Sequence, residues 1–189
     1  MTRVARIVLI VGLVLGAALV DAVLFGPLNL PGAPPDVLLL VVAALALVVG
    51  PVGGAFTGFF AGLAADVLPP ADHLVGRYAL VFCLVGYLIG LLREEARDSV
   101  LLSLVVVAVA AAAATVLYGL LGALLGDGRS GAAELATSLP YAVVYDVLLA
   151  PFVVPWVMAL ARRAGFGRAS QPAPLGQVGP LRRRPAEHP

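Results

Sequence analysis

Residues 50–66 read GPVGGAFTGFFAGLAAD. Glycine recurs at every fourth position, at Gly50, Gly54, Gly58 and Gly62, and the next step along the row is a carboxylate, Asp66. On a helix, residues four apart lie nearly above one another. The row is therefore a groove bare of side chains with an acid at its foot, while Phe56, Phe59, Phe60 and Leu63 fall on other faces. Glycine weakens a helix in water. In lipid, the backbone must close its own hydrogen bonds, and rows of small residues let a second helix come close. The stretch is expected to be the central packing helix of an integral membrane bundle rather than a flexible glycine-rich loop.

Composition points the same way. The chain has 189 residues, 61% hydrophobic and 12% charged, with a mean hydropathy of +1.05. Soluble domains are nearer half apolar and a quarter charged. A single membrane domain over residues 1–163 is expected, followed by a disordered, basic, cytoplasmic tail over 164–189 that is rich in Pro, Gly and Arg. The one cysteine, Cys83, lies inside an apolar run, so neither a disulfide framework nor a thiolate metal cluster is available.

Taken in order, the hydropathy divides into six spans. Arg3 and Arg6 precede an apolar run from Ile7 to about Phe25, read as an uncleaved first helix with a small-residue pair at Gly12 and Gly16. Gly26–Pro35 reads as a loop. Asp36 follows two prolines and precedes VLLLVVAALALVV, a place where a carboxylate caps free N–H groups. That run is short for a span of roughly 20 residues. Gly50-Pro51 turns the chain into the glycine-row helix, with Pro51 in its first turn. A fourth span from about Tyr78 to Leu92 carries Gly86 and Gly90 as another small pair. The charged turn REEARD follows at 93–98, then a fifth span from about Val100 to Leu125 and a sixth from about Ser138 to Leu160. Six spans put ten arginines on one side and two, Arg77 and Arg129, on the other, so both termini are expected in the cytoplasm.

Four acids fall in or at the edges of these spans, Asp21, Asp36, Asp66 and Asp146, all in the outer half of the membrane by this topology. Carboxylates there are costly and face the bundle interior or water. They read either as a polar pocket or docking cleft open to the outside, or as interfacial caps and loop anchors. Asp146 is the deepest, with Tyr141 and Tyr145 nearby as candidate hydrogen-bond donors. Pro151 and Pro155 kink the sixth span, and Trp156 suits the inner aromatic belt.

Catalytic signals are weak. Neither His73 nor His188 lies in a span or has ligand-spaced partners, and no HExxH or GxSxG motif occurs. No catalytic residue, metal ligand or cofactor is expected. Arg182–Arg184 suits anionic lipid or a cytoplasmic partner better than nucleic acid.

Pro35-Asp36 before an aliphatic run, Gly50-Pro51, the row ending in Gly62-Leu63 and Asp66, then Gly76-x-x-Ala79-Leu80 and Val85-Gly86-Tyr87 together resemble the rod shape-determining protein MreD family. The motifs cover roughly 35–90; Pro69-Pro70 and the long basic tail depart from the pattern. The resemblance implies a non-enzymatic, multi-pass scaffold in the plasma membrane of a bacterium. Its implied partners are membrane lipid, an MreC-like bitopic protein and, less directly, an MreB-like actin homologue. An associated RodA-like glycosyltransferase and its transpeptidase would build lateral peptidoglycan. The family also resembles in fold the substrate-binding subunits of energy-coupling-factor vitamin transporters, which leaves a small-molecule subunit as the alternative.

Overall fold

The computed structural model describes residues 3–28, 30–68, 75–97, 100–125 and 132–166. Among them are six α-helices: α1 (Arg3–Val20), α2 (Val37–Val49), α3 (Pro51–Val67), α4 (Arg77–Leu91), α5 (Val100–Leu124) and α6 (Ala132–Arg163). Among the described residues, three stretches are long and apolar enough to cross a membrane, Val4–Leu28, Leu101–Leu124 and Ala136–Arg163. The apolar helices α2, α3 and α4 are shorter, at 13, 17 and 15 residues. His73, His188, Asp98, Arg129, Pro69-Pro70 and the Arg182–Arg184 cluster lie outside the described residues.

The centre of the bundle is α2, not the glycine-row helix α3. Every residue from Val37 to Val48 is buried, and α2 touches each of the other five helices. Its composition explains this. It is apolar all round, with no polar face to leave outside. The glycine-row helix is instead one-sided, with Gly54, Gly58, Ala61, Gly62 and Asp66 buried and Phe56, Phe59 and Phe60 exposed. The surrounding helices offer narrow small-residue stripes to the centre. On α5 the stripe is Val106, Val107, Ala110, Ala111 and Ala114; on α6 it includes Ala142, Asp146, Ala150 and Val154. Those spacings of three and four place one face of each helix inward.

The tightest helix pair is α3 against α4. A Cβ built on Gly54 would overlap the carbonyl of Gly86, one on Gly58 the carbonyl of Phe82, and one on Gly62 the carbonyl of Tyr78. Reciprocally, Gly86 rests on Gly54, and Gly90 on the Gly50-Pro51 bend. Gly50 itself is not on the helical row. It is the residue before α3, with φ of 88°. The proline after it disfavours a right-handed helical Gly50, and a left-handed backbone there favours glycine. In contrast, a Cβ on Gly12 or Gly16 of α1 meets nothing within 4 Å.

Two element boundaries differ from the hydropathy reading. The first helix widens into a π-helical turn over Asp21–Phe25, followed by a short 3₁₀ turn at Gly26–Leu28. The sixth helix starts at Ala132, ahead of the apolar run, because AAEL consists of strong helix formers. It also runs unbroken through Pro140, Pro151 and Pro155, all of which lie on its exposed side.

This packing makes opposite predictions for chemically identical changes. Gly58→Ala is expected to lower the melting temperature of the purified protein, because the new methyl group meets backbone rather than a movable side chain. Gly12→Ala is expected to leave it unchanged or raise it, by up to about 1 kcal/mol of helix propensity. Thermal unfolding of both variants in one detergent checks the pair.

Candidate functional site

A helix leaves its first N–H groups without intrahelical acceptors. Val37, Leu38 and Leu39 at the start of α2 are buried, and buried donors need acceptors in place. Three carboxylates meet them. The N–H of Asp36 donates to Asp146 Oδ1 at 2.8 Å. The N–H groups of Val37 and Leu38 donate to Asp21 Oδ1 and Oδ2 at 3.0 and 2.9 Å. The N–H of Leu39 donates to Asp36 Oδ1 at 2.7 Å. Four consecutive donors are thus closed by acids from the end of α1, from α6 and from the cap position itself. The positive end of the helix dipole lies among their oxygens.

The elements that supply these acids are arranged for the purpose. Asp21 opens the π-helical turn that ends the first helix. Asp36 follows Pro34-Pro35, which keeps the backbone extended up to the cap. Asp146 stands in the buried small-residue row of α6 between Ala142 and Ala150, and is only 1% exposed. The hydrogen bond Asp146 accepts comes from the Asp36 backbone rather than from Tyr141 or Tyr145. The two tyrosine rings instead lie together, 6.2 Å apart, and Tyr141 packs over Gly32.

The fourth acid repeats the device on another helix. Asp66 accepts from the N–H groups of Gly76 at 2.8 Å, Tyr78 at 3.1 Å and Ala79 at 3.1 Å. It continues the glycine row of α3, so the face that packs on α4 also delivers the cap to the start of α4. Asp66 is therefore separate from the other three acids, which converge.

Above the N-terminus of α2 lies a cavity of about 530 Å³. It lies where α2 stops short, at about 20 Å of helix, beside the turns that follow α1 and residues of α5 and α6, among them Phe25, Tyr118 and Ser138. Asp21, Asp36 and Asp146 line one part, and Arg77, Tyr78 and Tyr118 another. Arg77 is a contributor the sequence reading counted only as a charge on the outer side. It is buried, donates from Nε and Nη2 to the carbonyl of Tyr118, and stacks on that ring at 3.6 Å. Tyr78 and Tyr118 also pack together, with centroids 4.5 Å apart. The available signal was a lone cation at the first position of an apolar run, since intramembrane ions demand partners. Among the described residues, no three acidic, histidine or cysteine side chains are placed to hold a metal ion together.

The arrangement holds helix ends in place, and it offers a mixed polar and apolar chamber. Asp146→Ala is expected to destabilise the protein by about 1–2 kcal/mol, the cost of losing a helix cap. Asp146→Asn retains an acceptor oxygen and is expected to recover part of that loss. Asp66→Ala, which strands three donors, is expected to cost more than Asp146→Ala. Chemical or thermal unfolding in detergent ranks the three.

No curated protein and no solved structure matches the chain significantly. The family model for the rod shape-determining protein MreD matches residues 1–164. The all-helical, apolar fold accords with a membrane protein that acts in determining rod shape, and the chain belongs to the MreD family.

Proposed function

We propose that this protein is a non-enzymatic membrane scaffold of the machinery that elongates rod-shaped bacterial cells. In this reading residues 1–163 cross the plasma membrane as six helices with both termini in the cytoplasm. The basic segment expected as a tail over 164–189 begins within the described residues, where residues 164–166 close the end of α6 and pack against Arg6; residues 167–189 lie outside them. The short helices are compatible with this. The core helix α2 needs no lipid contact, and α3 and α4 present apolar side chains outward, among them Phe56, Phe60, Leu80 and Leu84. Ten arginines fall on the proposed cytoplasmic side and two on the other.

The observation that carries the scaffold reading is the use made of the carboxylates. Asp21, Asp66 and Asp146 each accept backbone N–H groups from another element, and Asp36 caps its own helix, so three of the four acids hold elements to one another. Gly54, Gly58, Gly62, Gly86 and Gly90 likewise act within the chain, by seating α3 and its leading bend on α4. A frame fixed from inside leaves its apolar exterior as the working surface. An MreC-like bitopic protein is the proposed direct partner there. An MreB-like filament, a RodA-like glycosyltransferase and its transpeptidase are reached through the assembly, in service of lateral peptidoglycan synthesis.

The cavity supports a second reading, a substrate-binding subunit like those of energy-coupling-factor transporters. Its size lies within the range of small-molecule pockets, and it joins ionic and aromatic groups at one end of the bundle.

Photo-crosslinkers placed singly at Phe56, Phe60, Leu120 and Phe152 test the first reading in growing cells. The expected result is a covalent adduct with a single-span protein from one face and not from the opposite one. Absence of a protein adduct from every face would contradict it. Mass spectrometry of the gently purified protein addresses the second reading: a stoichiometric small molecule lost on Arg77→Gln supports it, and an empty chamber counts against it.

A further inference from the structure

At the end of the bundle opposite the aspartates, a second cavity of about 410 Å³ is lined by Arg6 and Arg93 together with Val49, Gly53, Phe56 and Phe166. We propose that it binds the phosphate of an anionic phospholipid, an inference that rests on the chain being embedded in a membrane. The two cations come from distant parts of the sequence and are positioned by different contacts. Arg6 donates from Nε to the carbonyl of Ala164 at 3.2 Å and lies over the Phe166 ring at 5.5 Å. That contact ties the start of α1 to the end of α6. The guanidinium of Arg93 lies over the Gly50 bend, where a built Cβ would stand 3.1 Å from Nη1.

The first turn of α3 adds to the positive field. Gly50 offers no side-chain cap and Pro51 has no N–H. The N–H groups of Val52 and Gly53 find no acceptor among the described residues. Helix N-termini attract phosphate through such donors and the helix dipole. Glu94 stands 3.7 Å from Arg93 Nε and is 65% exposed, whereas Arg93 is 14% exposed. A phosphate replacing the solvent-facing Glu94 would meet a largely buried cation.

The surroundings select a lipid over a free anion. Phe56 on the cavity wall is 64% exposed, and Ile7 and Val52, next in sequence to the lining residues Arg6 and Gly53, are apolar and 61% and 64% exposed. A headgroup between Arg6 and Arg93 would have its acyl chains run along this belt. Basic pockets between helices at a membrane surface bind anionic headgroups in this way.

Native mass spectrometry of the full chain in detergent tests the site, with phosphatidylglycerol and phosphatidylcholine of identical acyl chains as probes and inorganic phosphate as competitor. Phosphatidylglycerol is expected to bind in preference, and excess phosphate is expected not to displace it. Arg93→Gln is expected to weaken phosphatidylglycerol binding roughly fivefold, and Arg6→Gln with Arg93→Gln further. Arg162→Gln with Arg163→Gln removes two exposed charges from the same end and is expected to retain binding. Arg93→Gln leaves the Arg6–Ala164 bond in place, so it remains readable if the double variant fails to fold. Equal binding of the two lipids would overturn the proposal. So would equal losses from the two arginine pairs, or displacement by free phosphate.

Discussion

The fold depends on one requirement: the start of an apolar helix buried from Val37 to Val48 has to find acceptors for its N–H groups. Each unmatched backbone donor in such a place costs about 1–3 kcal/mol, and α2 has four at its start. The chain answers with three carboxylates drawn from the end of α1, the cap position and the middle of α6. Because the acids arrive from separate helices, satisfying α2 also fixes where α1 and α6 stand. The polar contacts and the apolar packing therefore specify the same arrangement, which is the consistency expected of a unique fold.

The α3–α4 pair solves a related problem by different means. Two apolar helices come this close only where shape and polar groups allow it. The glycine row supplies the shape, and Asp66 at its end supplies the polar group, anchoring the start of α4 with three hydrogen bonds. Packing and capping thus share one face of one helix. The aromatic side chains are left outside, where Phe59 and Phe60 meet edge to face at 5.5 Å.

Much of this was legible in residue order. Four-residue spacing located the glycine groove and the acid at its foot, and the Pro-Pro-Asp sequence before an aliphatic run marked the cap of α2. These signals are local, and local periodicity survives folding. What the sequence did not disclose was tertiary. Nothing near Asp21 or Asp146 states that both point to the same helix end, although Ala142-x-x-x-Asp146-x-x-x-Ala150 repeats the small-and-acid pattern of α3 and was a usable hint. The central position of α2 was also missed, since a short span reads as marginal when its apolar circumference is the better guide. Gly50 fits the row by spacing but is excluded from it by Pro51. Arg77 entered only the count of outer charges because its partner, the carbonyl of Tyr118, belongs to a different helix.

The two ends of the bundle differ in a way that follows from these choices. At one end carboxylates close the starts of α2 and α4, and a chamber opens where α2 runs out. At the other, the start of α3 has no side-chain cap and stands among arginines. Amide hydrogen exchange of the intact chain in lipid nanodiscs tests the founding constraint most directly, by reading the N–H groups of Asp36 to Leu39. The account predicts exchange as slow there as in the middle of α2, because carboxylates hold all four donors. Exchange at the rate of the preceding 30–35 loop would contradict it.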